Sequence, residues 1–450
     1  ADDALVHAPV SISVVECNTG ETLLATNPQY CLVPASVQKL LTSAAALEIL
    51  GGNFQFKTLL CANGKMENRK LSGDVIISGG GDPSLGSGYF SIEKEKPAFL
   101  SVWISMIQTA GIDTIDGTII ADPHCFSDID VPPSWLWEDL GNYYGAAASG
   151  INVFDNTFSI EFQTPVENDK PTEIINIQPE IPKLILKNEV VSSAEQKDGT
   201  TVFGNANNNV RLIRGTLPSG KSSYPIKASI PNPALLTAYQ LKESLSDSGI
   251  VVTGEAKVSQ KQIPTDRLQI MGVWSSPALS QIVEKMNHES SNLYAEAILK
   301  QIALTQKGEG TSEKGTEALM DFWKSKGING TLKLADGSGL SRQNTLTAQT
   351  LTDLLVFMKN NSRWYEEFFQ SIPVTGMDGT QKYYFQDSFL KGKLRAKSGS
   401  MKGVRSFAGY MTTQKGTEIA FCVIVNHFEC GSFEMASKLE KLIEEIYLVY

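Results

Sequence analysis

The sequence predicts an α+β multidomain chain: an antiparallel sheet flanked by helices, with an inserted α/β domain and, nested inside that, a small β domain. Three observations predict it. β-type runs stand at both ends of the chain with helices between them, which suits one antiparallel sheet built from both termini. From about residue 54 to 156 strand and helix patterns alternate. From 157 to 225 short β-type runs remain, separated by Asn, Gly, Pro and Lys turns. The expected domains are 1–60 with 263–450 for the sheet-and-helix body, 61–156 with 226–262 for the α/β insertion, and 157–225 for the nested β domain.

Residues 10–17 and 22–25 read as strands around the turn Asn18-Thr19-Gly20. After Pro34 a helix is predicted over 35–50, with a core face dense in Leu and Ala, ended by Gly51-Gly52-Asn53. In the insertion, 74–78 and 118–121 read as strands and 97–111 as a helix. Gly79-Gly80-Gly81-Asp82-Pro83 reads as a plain turn. A nucleotide loop needs G-x-G-x-x-G leading into a helix, and Pro83 blocks that entry. The nested runs are 158–163, 174–177, 184–186 and 209–213. A helix over 233–246 and a strand over 251–259 return to the α/β pattern. Helices follow at 280–286, 293–305, 312–326 and 347–360, then strands at 394–398, 405–412 and 418–426. Thr413-Gln414-Lys415-Gly416 makes a hairpin turn between the last two, and a helix over 432–447 closes the chain.

Composition narrows the function. The 450 residues are 42% apolar and 20% charged, an ordinary globular balance. The net charge of −10 comes with no basic block, which argues against nucleic acid and against a polybasic membrane anchor. No run approaches the roughly 18 apolar residues of a transmembrane helix. The chain opens Ala1-Asp2-Asp3 without a basic or apolar leader, so for an exported protein a signal peptide is expected to be already removed. The six cysteines, Cys17, Cys31, Cys61, Cys125, Cys422 and Cys430, form no C-x-x-C; both disulfides and free thiols stay open. His7, His124, His288 and His427 are scattered without H-E-x-x-H, against a metallopeptidase. His288 is expected in a solvated loop. Glu138-Asp139, being adjacent, does not make a glycosidase carboxylate pair.

Three short motifs carry chemistry. Ser36-Val37-Gln38-Lys39 places Ser36 and Lys39 on one helix face, because residues i and i+3 are neighbours. A serine hydroxyl needs a base, and a lysine kept neutral by burial and a second cation can be one. Lys39 precedes Leu40-Leu41, and Lys397 is available as the second cation. The backbone N–H of Ser36 at a helix start favours developing negative charge. Ser290-Ser291-Asn292 lies between two helices; Ser290 can relay a proton, and the Asn292 amide can both accept and donate. Lys397-Ser398-Gly399 sits on a strand, where Lys397 and Ser398 suit a carboxylate. Gly399 leaves room for a substrate backbone, and the Ser400 N–H can join that of Ser36 around an oxyanion. Each motif alone reads equally well as a surface Ser–Lys pair, a helix N-cap and a strand-end turn.

In this order the motifs are the S-x-x-K, S-x-N and K-[ST]-G set of penicillin-binding proteins and serine β-lactamases. The whole chain resembles the class C low-molecular-mass penicillin-binding proteins, D-alanyl-D-alanine carboxypeptidases that are often also endopeptidases. Asp336-Gly337-Ser338-Gly339-Leu340-Ser341-Arg342, Thr375-Gly376-Met377-Asp378-Gly379-Thr380, Gly79–Pro83 and Trp137-Glu138-Asp139-Leu140 resemble stretches of that family. More than half the chain separates Ser36 from Ser290, too much for a compact β-lactamase and suited to inserted domains. The resemblance implies a serine β-lactamase/DD-peptidase-like fold in the body. It implies Ser36 as acylated nucleophile, Lys39 as base, Ser290 and Asn292 as second element, and Lys397 with Ser398 on the substrate carboxylate. It implies a subsite for the third residue of the stem peptide at Asp139, Tyr144, Arg342 and Met401. Ser398 stands where the family usually has Thr, and keeps the hydroxyl. The implied partners are peptidoglycan stem peptides ending in D-Ala-D-Ala and β-lactams. No cofactor and no metal are implied, and the place is the periplasm or another part of the cell envelope. The competing readings are a serine β-lactamase and a non-catalytic peptidoglycan-binding protein.

Overall fold

Glu418–Asn426 (EIAFCVIVN) is apolar at nearly every position, the pattern of a strand covered on both faces. In the computed structural model, which describes residues 3–90, 97–126 and 131–450, it is the middle strand of a five-stranded antiparallel sheet. The chain forms two units, Ala1–Phe54 with Ala278–Tyr450, and Gln55–Pro277.

The first unit contains β1 (Val10–Glu16), β2 (Thr22–Thr26), α1 (Lys39–Leu50), α2 (Leu279–Glu289), α3 (Asn292–Lys307), α4 (Ser312–Ser325), α5 (Ala348–Asn361) and α6 (Tyr365–Ser371), then β3 (Leu394–Met401), β4 (Val404–Thr412), β5 (Glu418–Asn426) and α7 (Ser432–Val449). The strand order is β3-β4-β5-β1-β2, so both chain ends build one sheet, as the sequence predicts. Alternation sorts the two faces. Phe407, Phe421, Val423 and Val425 face Met435, Leu439 and Ile443 of α7 in one core cluster. On the other face Ser13 Oγ and Thr352 Oγ1 lie 2.8 Å apart, tying β1 to α5. There Tyr410 also donates to the Leu355 carbonyl at 2.7 Å. Residues 39–47 of α1 are buried on every side, so this helix is central rather than amphipathic.

The second unit holds a seven-stranded mixed sheet. Lys57–Glu67 pairs antiparallel with Lys70–Ser78 and with Gln269–Ser275, while Ile119–Asp122 runs parallel to Lys70–Ser78. The nested segment forms two three-stranded sheets, one of them with the parallel pair Ile185–Ser193 and Val210–Pro218. Phe158, Ile160, Ile213 and Leu217 of that segment share one core with Ile77, Trp103 and Leu241 of the α/β part. The pairing of Lys57–Glu67 with Gln269–Ser275 draws both flanks into this unit, so its edges fall outside the expected 61 and 262.

Several elements differ from expectation. Lys57–Glu67, Tyr224–Ser229, Gln269–Ser275 and α6 lack a clear sequence signal, the first because its far half is the polar run Asn63-Gly64-Lys65. The strand expected at 251–259 is two short strands, Val251–Val252 and Ala256–Val258, because Gly254 N donates to Gly117 O between them. The helix expected at 35–50 begins as a 3₁₀ turn, Ala35–Gln38, with Ala35 at φ 51°. The glycine turn at 79–83 is a turn: a Cβ on Gly80 would stand 2.0 Å from the Lys57 carbonyl oxygen. Cys17, Cys31, Cys61 and Cys422 are free thiols. Among the described residues no helix is long and apolar enough to cross a membrane.

Phe407 is fully buried between β4 and α7, so Phe407→Ala should cost about 3–5 kcal/mol. Thermal unfolding reads this as a lowered transition of the first unit; an unchanged transition would contradict the packing described.

Candidate active site

The 3₁₀ turn at Ala35–Gln38 and the first turn of α1 put Ser36 and Lys39 side by side, with Lys39 Nζ 3.0 Å from Ser36 Oγ. Two further groups surround the amine. Asn292 Oδ1, at the start of α3, lies 2.6 Å away, and the Ser338 carbonyl oxygen 2.7 Å away. Lys39 is fully buried, and burial pulls its pKa down to about 7 against the opposing pull of Asp336 and Glu296. Both close oxygens are acceptors without a proton. A neutral amine therefore gives its two N–H groups to them and turns its lone pair on the Ser36 hydroxyl.

Ser290 is where α2 ends. Its left-handed backbone, φ 56°, breaks the helix, and Ser291 then caps α3 by accepting from Tyr294 N at 3.3 Å. So Ser291 is the cap and Asn292 is spared for Lys39. Ser290 Oγ accepts from Lys397 Nζ at 3.0 Å, joining the second motif to the third. Lys397 is fully buried on β3, and its pKa is held well below the usual lysine range, by burial first and by Lys39 second. Two hydrogen-bonded groups thus carry the motif residues, Lys39 with Ser36 and Asn292, and Lys397 with Ser290, and the charge of Lys39 is felt at Lys397.

Gly399 is a glycine for a reason the sequence reading did not see. A Cβ there would meet the Pro34 carbonyl oxygen at 2.6 Å and Ser36 N at 3.0 Å. The missing side chain makes room for the chain's own serine turn, which Ser406 also grips by donating to Pro34 O at 2.6 Å. Ser398 is buried and Ser400 exposed on the same edge strand.

Beneath the amine lies the loop of residues 336–341. Asp336 accepts from Gly339 N (2.8 Å), Ser341 N (2.6 Å) and Asn344 Nδ2 (2.8 Å), which folds the loop on itself. Glu296 Oε1, one turn along α3 from Asn292, accepts from Gly337 N (3.0 Å) and Ser338 N (2.8 Å). Burial, then Asp336, pushes the Glu296 carboxyl up to about 8. Gln38 Nε2 and Thr42 Oγ1 clamp the loop to the serine helix by donating to Asp336 O and Gly337 O, both at 2.6 Å. Sequence reasoning assigned no role to Glu296, Asp336 or the Ser338 carbonyl. The D-G-S-G stretch was the available signal for the last two, and an acid one turn after Asn292 for the first.

The comparisons with known proteins decide the family. The chain belongs to the D-Ala-D-Ala carboxypeptidase 3 (S13) family. The family match covers residues 1–444. The chain is 27% identical over 436 residues to the D-alanyl-D-alanine carboxypeptidase DacB of Haemophilus influenzae, covering 95% of this chain and 87% of the relative. It is 29% identical over 437 residues to a D-alanyl-D-alanine carboxypeptidase of an Actinomadura species, covering 94% and 79%. The crystal structure of penicillin binding protein 4 (dacB) from H. influenzae matches with a TM-score of 0.85 at 26% identity, over 98% of this chain and 97% of that one. The same H. influenzae protein complexed with a β-lactam matches with a TM-score of 0.80 at 25% identity, over 98% and 97%. The class C penicillin-binding resemblance and the fold expected for it are therefore correct.

Within this S13 member the four residues expected around a third-residue subsite fall in both units. Asp139 and Tyr144 belong to the second unit, where the Asp139 carboxylate shares a hydrogen bond with the Tyr144 phenol and, after burial, raises its pKa. Arg342 and Met401 belong to the first; Arg342 is exposed and donates to Lys402 O at 3.2 Å. His288 is not in a loop: it occupies the last turn of α2, half-buried, against the segment at Gly379, whose Cβ would meet His288 O at 2.6 Å.

Gly399→Ala should be destabilising by about 1–3 kcal/mol, because backbone atoms must yield to the added methyl. Gly431→Ala, with nothing within 4 Å of the added Cβ, is the control that should melt like the native protein. Equal melting of the two variants would contradict the close approach of β3 to the serine turn.

Proposed function

We propose that Ser36 is the acylated nucleophile of a serine D-alanyl-D-alanine carboxypeptidase and that Lys39 is its general base. The carrying observation is the Lys39 amine, buried, with two proton-free acceptors on one side and the Ser36 hydroxyl on the other. Ser36 Oγ attacks the carbonyl carbon of the penultimate D-Ala as its proton passes to Lys39 Nζ. The N–H groups of Ser36 and Ser400 stabilise the oxyanion; Gly399, between Ser400 and the Ser36 turn, permits that approach. The C–N bond breaks, and the leaving amine takes a proton through Ser290, which Lys397 holds by a 3.0 Å hydrogen bond. Terminal D-Ala departs, and the penultimate D-Ala remains as an ester on Ser36. Water then attacks the ester, its proton again taken by a neutral lysine, and Ser36 is restored.

Lys397 and Ser398 would bind the terminal carboxylate of the substrate. Asp139, Tyr144, Arg342 and Met401 would recognise the third residue of the stem peptide. The acid–phenol pair Asp139–Tyr144 suits a side chain that ends in a polar or charged group. Endopeptidase action on cross-links follows from the same chemistry, since it cleaves a similar D-Ala amide. β-Lactams would acylate Ser36 and leave slowly, a reading supported by the β-lactam complex of the H. influenzae relative. A peptidoglycan substrate supports a location at the cell envelope.

Incubation with benzylpenicillin should add one stable drug mass to the native protein and none to Ser36→Ala. Drug consumption without an adduct would mean a β-lactamase; an intact drug with no adduct would sink the acyl-enzyme reading. Lys39→Met, which removes the base and keeps the length of the side chain, should slow release of D-Ala by about 10²–10⁴-fold. Release at the native rate would remove Lys39 from the mechanism.

A further inference from the structure

The first unit contains a cavity of 290 Å³ that includes none of the motif residues. That is the small end of ligand sites, which run about 300–1,000 Å³. It opens beside the start of the edge strand β3, and its lining carries an excess of positive charge in a chain whose net charge is −10. Tyr365, Phe369 and Tyr410 form an aromatic wall, with ring centroids 5.7–5.8 Å apart across Tyr410. The Cys17 side chain closes one side, and burial keeps its thiol protonated.

The charges in the lining divide into two groups. Lys359 is paired with Glu418 at 2.8 Å and lies 5.5 Å from the Tyr365 ring centroid, so this pair is neutral overall. Arg395 and Lys393 form no ion pair among the described residues. Arg395 donates to Gln370 O and Ile372 O and to Gln370 Oε1, all neutral acceptors, and its guanidinium sits 5.0 Å from the Phe369 ring centroid. Lys393 lies near the rings of Phe389 and Tyr447. An arginine without a carboxylate beside an aromatic wall, in a lining that also includes Lys393, is complementary to an anion on an apolar body. An arginine already oriented by neutral acceptors loses little freedom on receiving a carboxylate.

We propose that this cavity binds a small carboxylate carrying an apolar or aromatic body, with the carboxylate on Arg395, Lys393 adding positive charge to the lining, and the body against Phe369 and Tyr410. The site is separate from the one that handles the scissile peptide. Arg395 and Lys397 share a face of β3, two residues and about 7 Å apart. Lys397 turns to Ser290, whereas the Arg395 guanidinium turns to α6 and the carbonyls after it. Nothing in the peptidase chemistry uses it.

The test is titration of the full chain with 4-fluorophenylacetate, followed by fluorine NMR, beside the neutral amide of the same ring. Saturable binding at one site is expected, about tenfold or more weaker for the amide. Lys393→Glu should abolish binding; Lys393 is exposed, so this variant should fold as the native protein does. Arg395→Gln should weaken it, and Lys397→Ala should leave it unchanged. Equal binding of acid and amide would overturn the proposal, as would absence of binding up to millimolar acid. Binding lost in Lys397→Ala but kept in Lys393→Glu would place the carboxylate in the peptidase site and overturn it too.

Discussion

A lysine amine with no access to water is the constraint on which this site depends. An ammonium ion in that place would lose its hydration, and the two acceptors beside it return only part of the loss. The Lys39 pKa therefore falls to about 7, a value at which an amine can take and return a proton near neutrality. Histidine is not needed because burial does for lysine what the imidazole ring does by its nature. The cost is carried by the surrounding fold, which must keep water out and still leave Ser36 half-exposed to a substrate.

Three separate pieces of chain meet that demand. The 3₁₀ turn and the buried helix α1 that continues it supply the serine and the amine one turn apart. Helix α3 supplies Asn292 to the amine and, one turn later, Glu296 to the loop whose Ser338 carbonyl is the second acceptor. The edge strand β3 passes so close to the serine turn that only glycine fits at 399. Each contact is long-range in sequence, so the site exists only when the sheet from both chain ends has closed. This is the physical sense of an insertion between Phe54 and Ala278: the inserted unit folds on its own core and leaves the two halves of the site to meet.

How much of this the sequence discloses depends on which atoms carry the function. Ser36, Lys39, Ser290, Asn292 and Lys397 act through side chains, and their types and order are readable as motifs. The Ser338 carbonyl acts through the backbone, which any residue could supply, so sequence marks it only through the glycines that shape its loop. Glu296 is hidden in the apolar pattern of α3, where an acid looks like a solvent-facing position until the fold buries it. Gly399 was legible as a glycine but not in its reason, because the backbone atoms that crowd it, at Pro34 and Ser36, lie more than 360 residues earlier in the chain. The closing sheet was visible because β5 is apolar nearly throughout, whereas Lys57–Glu67 hides behind its polar half.

The most direct measurement is the acylation rate constant with benzylpenicillin across the pH range, for the native protein and for Lys39→Arg. A base whose pKa is lowered to about 7 is protonated and inactive below that pH and free above it. The rate should therefore rise with a midpoint near pH 7 and level off above it, and Lys39→Arg should be nearly inactive throughout. A native rate independent of pH, or one still climbing toward the usual lysine range, would contradict a buried neutral Lys39 as the base.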